Sequence, residues 1–413
     1  MSRARALGGN LVWALGGILV GALLVVGIDG LARTPTRGPG PSDEPTTGSQ
    51  SREAEPQATP DDVDVDTVKS RPTGIVLAWA PGGIPAAAER AVERLPGVRR
   101  VTTVAAGLDW IESARRPDGT KIPGPRKGMR IPFEVAAVRP REYARFVPPS
   151  ERAPLLALRP GQILLAESSV ELRGGGAGMS VELLGRRSRV SGVISDVATN
   201  GYEAIISSPP PKSWERIDRF LLVHNKSAKR AAIERAIRTH LLPGRGLRIR
   251  VSDEQPFLRY GDAVHPQLVL KMEFGEFAAR PLPDGRIAID PEWQQTYIRR
   301  ARVPVIGEVT CHRALIPQLR SAMRAIQSAG LTHLIDASGY GGCFGPRFIN
   351  SDPGGRLSHH AWGIAFDINV PDNPFGAEPT MHARVVEAIE RWGFTWGGRW
   401  LIPDGMHFEW QSW

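Results

Sequence analysis

The stretch that decides the reading is Ser358-His359-His360-Ala361-Trp362-Gly363-Ile364-Ala365-Phe366-Asp367-Ile368-Asn369. From Ile364 it alternates with period two, as a strand does. Ile364, Phe366 and Ile368 point one way, and Ala365, Asp367 and Asn369 the other. An aspartate in an apolar strand is costly to bury unless a cation or hydrogen bonds pair with it. Gly363 lets the chain turn, so that His360 meets Asp367 from the loop before the strand. The chain end repeats the pattern. In Met406-His407-Phe408-Glu409-Trp410 the apolar face is Met406, Phe408 and Trp410, with His407 and Glu409 opposite. Laying the two strands side by side converges His360, Asp367 and His407. Two imidazoles and one carboxylate leave a fourth tetrahedral position for water, the arrangement of a catalytic zinc site. Asp404, three residues before His407, reaches that water as general base from the bend at Gly405.

The spacing Ser-x-His-(x6)-Asp followed by Asp-x-x-His resembles the zinc peptidases that act as D-alanyl-D-alanine carboxypeptidases and L-alanyl-D-glutamate endopeptidases. The segments GGCFGPR, LSHHAWGIAFDIN and WGFTWGGRW share the likeness, which spans roughly residues 290–413. The resemblance implies Zn²⁺ held by His360, Asp367 and His407, with Asp404 as base. It also implies an arginine on the scissile carbonyl oxygen, Arg347 first and Arg356 as the fallback. Ser358 is then expected behind the ligands, and Glu409, on the ligand face, in the same role. The carboxypeptidase branch carries Glu where this chain has Asp404, so the endopeptidase branch is closer on that point. The expected activity is hydrolysis of peptide bonds in peptidoglycan stem peptides. The alternative is a non-catalytic, zinc-containing module that binds or docks at the wall; loss of the base would mark it, and Asp404 is present. His312, His333 and His382 are read as ordinary core or surface residues, and His359 as pointing away from the metal.

Around this centre the expected fold is α+β. Residues 265–413 form the peptidase domain, a small antiparallel sheet with flanking helices. Its expected elements are strands at 267–277 and 286–289 about the turn at Pro283-Asp284-Gly285, a helix capped by Asp290, and a helix ending at Ala329. A short strand at 331–336 follows, then a helix capped by Thr380 with Val385, Val386, Ile389 and Trp392 inward. Cys311 and Cys343, both in this part, are read as one disulfide of an exported chain.

Residues 69–255 read as a separate α+β domain. Its strands fall at 74–79, 100–105, 131–138, 162–166, 180–184, 189–194, 220–224 and 247–251, and its helices at 85–95 and 227–242. The glycines at 174–178 lack the ending of a phosphate loop and are a turn. The stretch LRPGQILLAESSVELRGGGAGMSVELL, with VSGVISD after it, faintly resembles extracytoplasmic domains of ABC-type permeases, which implies a binding or docking module with a membrane-protein partner.

Residues 34–68 carry six of the prolines among Gly, Ser, Thr and acidic residues and are read as a disordered linker. Residues 11–28 are a charge-free apolar run after Arg3 and Arg5. At 1.5 Å per residue the run reaches roughly 27 Å, about the thickness of a bilayer core. Residues 1–33 are therefore expected to be a transmembrane anchor that leaves the bulk of the chain outside; a signal peptide cut at 30–32 is the alternative. A net charge of +9 suits membrane or wall polymers, and no basic block with interleaved aromatics points to nucleic acid. A hydrophobic share of 41% excludes a multi-span membrane protein.

Overall fold

The computed structural model describes residues 74–252 and 256–413, which fall within one unit, Asp61–Trp413. Ten strands precede residue 252: β1 (Ile75–Trp79), β2 (Val98–Arg115), β3 (Lys121–Ile122), β4 (Ile131–Val138), β5 (Gln162–Ala166), β6 (Ser180–Leu183), β7 (Arg186–Ile194), β8 (Ala204–Ser207), β9 (Asp218–Asn225) and β10 (Arg248–Val251). Their order is β10-β1-β9-β2-β4-β8-β5-β7-β6, and β6 pairs back onto β2. The strands β2, β4, β8, β5, β7 and β6 therefore close into a six-stranded barrel. Its pairs are antiparallel except β4–β8 and β5–β7. Closure leaves these strands no free edge between them.

Strand β2 makes the closure. It pairs with β9 over Val98–Ala106, with β4 over Ala105–Ile111 and, past a register shift between Ile111 and Ser113, with β6. Such an irregularity bends a strand and increases its twist. Phe133, Val135 and Ala137 of β4 join Ile163, Leu165, Val181, Val190 and Ile206 inside the barrel. The alternate residues Ala136 and Val138 pack outward with Leu77, Phe220 and Tyr143. At Gly107 a Cβ would stand 2.4 Å from the Trp214 ring, so this strand position has no room for a side chain. Strands β9, β1 and β10 continue the sheet beyond the barrel. The helices Ala86–Glu93 and Arg230–Arg238 cover one face with Ala88, Val92, Ile233 and Ile237.

The expectation of a separate α+β domain is thus corrected. Eight strands were read nearly where they lie and β3 and β8 were missed; six of the ten close into a barrel, and the barrel is not separate. Leu108 and Trp110 of β2 belong to the core of the C-terminal half, Trp110 edge-on to Phe348 at 6.4 Å. Lys271, fully buried, donates to Glu203 Oε1 and Oε2 at 2.9 Å and to the Pro132 carbonyl at 2.5 Å. Arg259 pairs with Glu134 at 2.7 Å. Alternation within single strands carries no information about such long-range closure, so a barrel and an open layer read alike. The fold is a β-barrel with flanking strands and helices joined to an α+β half. The membrane helix expected at residues 11–28 lies outside the described residues, as does the linker at 34–68; among the described residues no helix is long and apolar enough to cross a membrane.

The C-terminal half carries β11 (Ala279–Pro281), β12 (Ile287–Ile289), β13 (Ile298–Val303), β14 (Gly307–His312), β15 (Ala365–Asp367), β16 (Phe394–Trp396) and β17 (His407–Trp410). Two hairpins, β11–β12 and β13–β14, flank a three-stranded sheet of order β15-β17-β16. Helix Pro291–Tyr297 is capped by Asp290, whose Oδ1 accepts from Glu292 N at 3.0 Å. Leu315, Leu319, Met323 and Ile326 of helix Leu315–Ser328 are buried, and helix Ala383–Glu390 packs on it. Four local expectations change. Gln267–Phe274 is a helix after Pro266, since Leu268, Leu270, Lys271 and Phe274 form one buried stripe; the partner of β12 is β11. Thr332–Leu334 is a single 3₁₀ turn rather than a strand. His382, not Thr380, caps the last helix, its Nδ1 accepting from Arg384 N at 3.2 Å. Trp392 is exposed rather than inward.

Candidate metal centre

Strands β15 and β17 lie antiparallel with Asp367 opposite His407, Phe366 opposite Phe408 and Ala365 opposite Glu409. Phe366 and Phe408 stack in the core at 5.5 Å between ring centres. Asp367 and His407 therefore face the other side, with Asp367 Oδ1 and His407 Nδ1 3.0 Å apart. His360 arrives from a 3₁₀ turn, His359–Ala361, capped by Ser358, whose hydroxyl accepts from His360 N at 3.3 Å. Gly363 ends the turn at φ +69°, and a Cβ there would stand 2.8 Å from His312 N. His360 Nε2 reaches 3.2 Å from both Asp367 Oδ1 and His407 Nδ1. All three side chains are buried.

The remaining ring nitrogens are also engaged. His360 Nδ1 lies 2.8 Å from the Cys343 carbonyl oxygen, which accepts only if that nitrogen carries the proton. Its Nε2 lone pair then faces Asp367 and His407. His407 Nε2 lies 3.5 Å from Glu409 Oε2, which leaves Nδ1 as its inward atom. Two imidazole nitrogens and a carboxylate oxygen thus converge within 4.8 Å of one another. Acceptors so close repel unless a cation lies among them. Burial pushes the pKa of His407 down, but the hydrogen bonds its ring donates to the Asp367 and Glu409 carboxylates raise it to about 10. Burial likewise opposes ionisation of Asp367, yet His360 and His407 hold it well below the usual carboxylate range. Without metal the cluster accommodates one positive charge as a proton. The donor set suits a divalent ion such as Zn²⁺, and the Cys343 carbonyl and Glu409 orient the rings in the way that outer partners orient zinc-bound histidines.

The other expected residues surround this centre. Asp404 lines the same cleft, and its Oδ1 is buried without a hydrogen-bond partner. Burial pushes its carboxyl above the usual range, with His407 pulling the other way. Arg347 Nη2 lies 4.0 Å from Asp367 Oδ2, with the side chain about a third exposed. Arg356, the fallback, is directed elsewhere: its Nε pairs with Asp218 at 3.3 Å and its guanidinium lies over the Tyr260 ring. Glu409 is fully buried; Oε1 accepts from Val264 N at 2.8 Å and Oε2 lies 2.8 Å from His359 Nδ1. Cys311 and Cys343 are bonded, tying β14 to the loop that carries Arg347. His312, His333 and His382 stay outside the cluster.

The cleft, about 290 Å³, has a second wall that the sequence did not reveal. Trp79, Arg216 and Asp218 come from the barrel half, and Tyr260 and Asp262 from the connection between the halves. These residues stand far from the metal motif in the chain and form no motif of their own.

Residues 352–410 match a family model described as D-alanyl-D-alanine carboxypeptidase, which covers the three converging side chains, Asp404 and Glu409. The match falls in the C-terminal region, within the span whose motifs carry the resemblance. No curated protein matches the chain. Among solved structures, the periplasmic region of MacB from Actinobacillus actinomycetemcomitans is similar at 12% identity and a TM-score of 0.29, covering 46% of this chain and 94% of that one. The extracellular domain of the ABC-type transporter YknZ from Gram-positive bacteria is similar at 14% identity and a TM-score of 0.25, covering 39% and 88%. At scores this low neither likeness bears on the role of the barrel.

Proposed function

We propose that this protein is a zinc metallopeptidase that acts outside the cytoplasm and hydrolyses peptide bonds in peptidoglycan stem peptides. The observation that carries the reading is the in-register pairing of Asp367 with His407, with His360 closing the set and the orphaned Asp404 carboxylate in the same cleft. His360, Asp367 and His407 hold the ion, which when bound supplies Lewis-acid activation of water and of the scissile carbonyl. Asp404 Oδ1 takes the proton from the attacking water and returns it to the leaving amine. Burial raises its pKa, which makes the carboxylate a stronger base and lets it carry the proton longer before the return step. Arg347 donates to the carbonyl oxygen as negative charge builds there. Ser358 keeps His360 in place through the backbone, and Glu409 fixes the ring of His407.

The Asp at position 404 favours an endopeptidase over a carboxypeptidase. The bonded cysteines support a location outside the reducing cytoplasm. The test is mass spectrometry of purified stem peptides after incubation with the protein. Cleavage is expected, abolished by a chelator and restored by Zn²⁺. Intact peptides with the zinc-loaded protein would overturn the reading.

A further inference from the structure

The barrel half contributes two charged side chains to the cleft, and the proposed peptidase mechanism uses neither. Arg216 and Asp218 flank the entrance to β9 and line the same cleft as His360, Asp404 and Arg347. Both pair with the loop that follows the Arg347 segment. Arg216 Nη1 bonds Asp352, and Asp218 Oδ2 takes Arg356 Nε at 3.3 Å. Asp218 Oδ1 also lies 3.5 Å from Arg216 Nε. One carboxylate thus sets two guanidinium groups, one from each half of the molecule, side by side.

The connection between the halves is shaped around the pair. Arg356 packs over Tyr260 at 5.3 Å from the ring centre, and its Nη1 reaches the Tyr260 carbonyl at 3.4 Å. At Gly261, φ +94°, a Cβ would stand 2.3 Å from Arg356 Nη1, so a side chain there would displace the guanidinium. Asp218, 11% exposed, anchors the pair from below, while Arg216 is 48% and Arg356 24% exposed. Asp352, the partner of Arg216, is 38% exposed and sits on the glycine-rich loop Asp352-Pro353-Gly354-Gly355. A carboxylate from the chain itself, more exposed than Asp218, thus occupies a guanidinium edge at the cleft. Planar guanidinium forks suit carboxylates, and two together discriminate an acid from its neutral amide.

We propose that Arg216 and Arg356 form a carboxylate-binding end of the cleft, with a substrate carboxylate taking the place of Asp352 on Arg216. The substrate class is then an acidic peptide, whose free carboxylate is gripped at the barrel wall while its scissile bond lies at the metal centre. This assignment rests on the peptidase reading, and it gives the barrel half a part in substrate selection.

The test measures binding by titration calorimetry with metal-free protein, using a stem pentapeptide as the free acid and as its fully amidated form. Wild-type protein prefers the acid. Arg216→Gln cuts that preference about tenfold, the loss expected for one charge-assisted contact, and Arg216→Lys recovers part of it. A thermal melt confirms that each variant is folded. An unchanged preference in Arg216→Gln, no preference in the wild type, or no binding of either peptide overturns the proposal. Binding that behaves as expected without cleavage by the zinc-loaded protein would sink the peptidase reading alone. Cleavage with an unchanged preference would sink the subsite alone.

Discussion

His312 should make the protein acid-sensitive in a way that one substitution removes. It ends β14 and is 2% exposed. Its ring stacks on Tyr297 at 5.2 Å, meets Phe274 edge-on at 5.0 Å and accepts at Nδ1 from Ala314 N at 3.2 Å. Burial pushes its pKa down from 6.5 to about 4. In the unfolded chain the imidazole takes a proton below about pH 6.5, while the folded protein refuses it until about pH 4. The unfolded state therefore binds more protons in that window, and stability falls as the pH drops from about 6.5 to about 4. Two and a half pH units at about 1.4 kcal/mol each give about 3.5 kcal/mol in full, about 3 kcal/mol of it by pH 4. Well below pH 4 both states are protonated, and this contribution declines no further. His312→Asn keeps an acceptor for Ala314 N and removes the titration. The assay is urea unfolding of both proteins from pH 7.5 to pH 4. The variant starts less stable, having lost aromatic packing, and the gap should narrow by about 3 kcal/mol on acidification, since carboxylate effects common to both cancel. Parallel pH profiles would refute the reasoning.

Three further outcomes are expected. Asp404→Ala should lower peptide hydrolysis by about 10²- to 10⁴-fold while zinc content, read by metal analysis, stays at one per chain; full activity would remove Asp404 from its role. Lys271→Met leaves Glu203 with a missing partner inside the protein and should cost about 3 kcal/mol in urea unfolding, against little change if the ion pair contributes nothing. Replacing both Cys311 and Cys343 by Ala opens a loop with a sequence separation of 32 and should lower stability by about 3–4 kcal/mol, checked by the same unfolding measurement.

The convergence of His360, Asp367 and His407 was legible in the chain because strands write their faces at period two. Asp367 amid Ile364, Phe366 and Ile368, and His407 between Met406 and Phe408, announce polar atoms held on one side of apolar strands. Their register, Asp367 opposite His407, follows once the two apolar faces are buried together. Helix Leu315–Ser328 was equally readable, from its apolar spacing and from Gly330 beyond its end. Local rules served less well at Gln267–Phe274, where a short apolar run fits a strand and a buried helix alike. They also misassigned the cap of the last helix, where His382 performs the task expected of Thr380.

Period and spacing along the chain thus determined which residues converge in the His360, Asp367 and His407 cluster and where most strands and helices lie, because both properties are written over a dozen neighbouring residues. Only the tertiary structure decided that β2 bends to close a barrel with β6, that Lys271 and Trp110 bind the two halves together, and that Arg216 reaches the cleft. Those contacts join residues dozens to more than a hundred positions apart, and their energy depends on burial and charge pairing that exist only after the chain has folded.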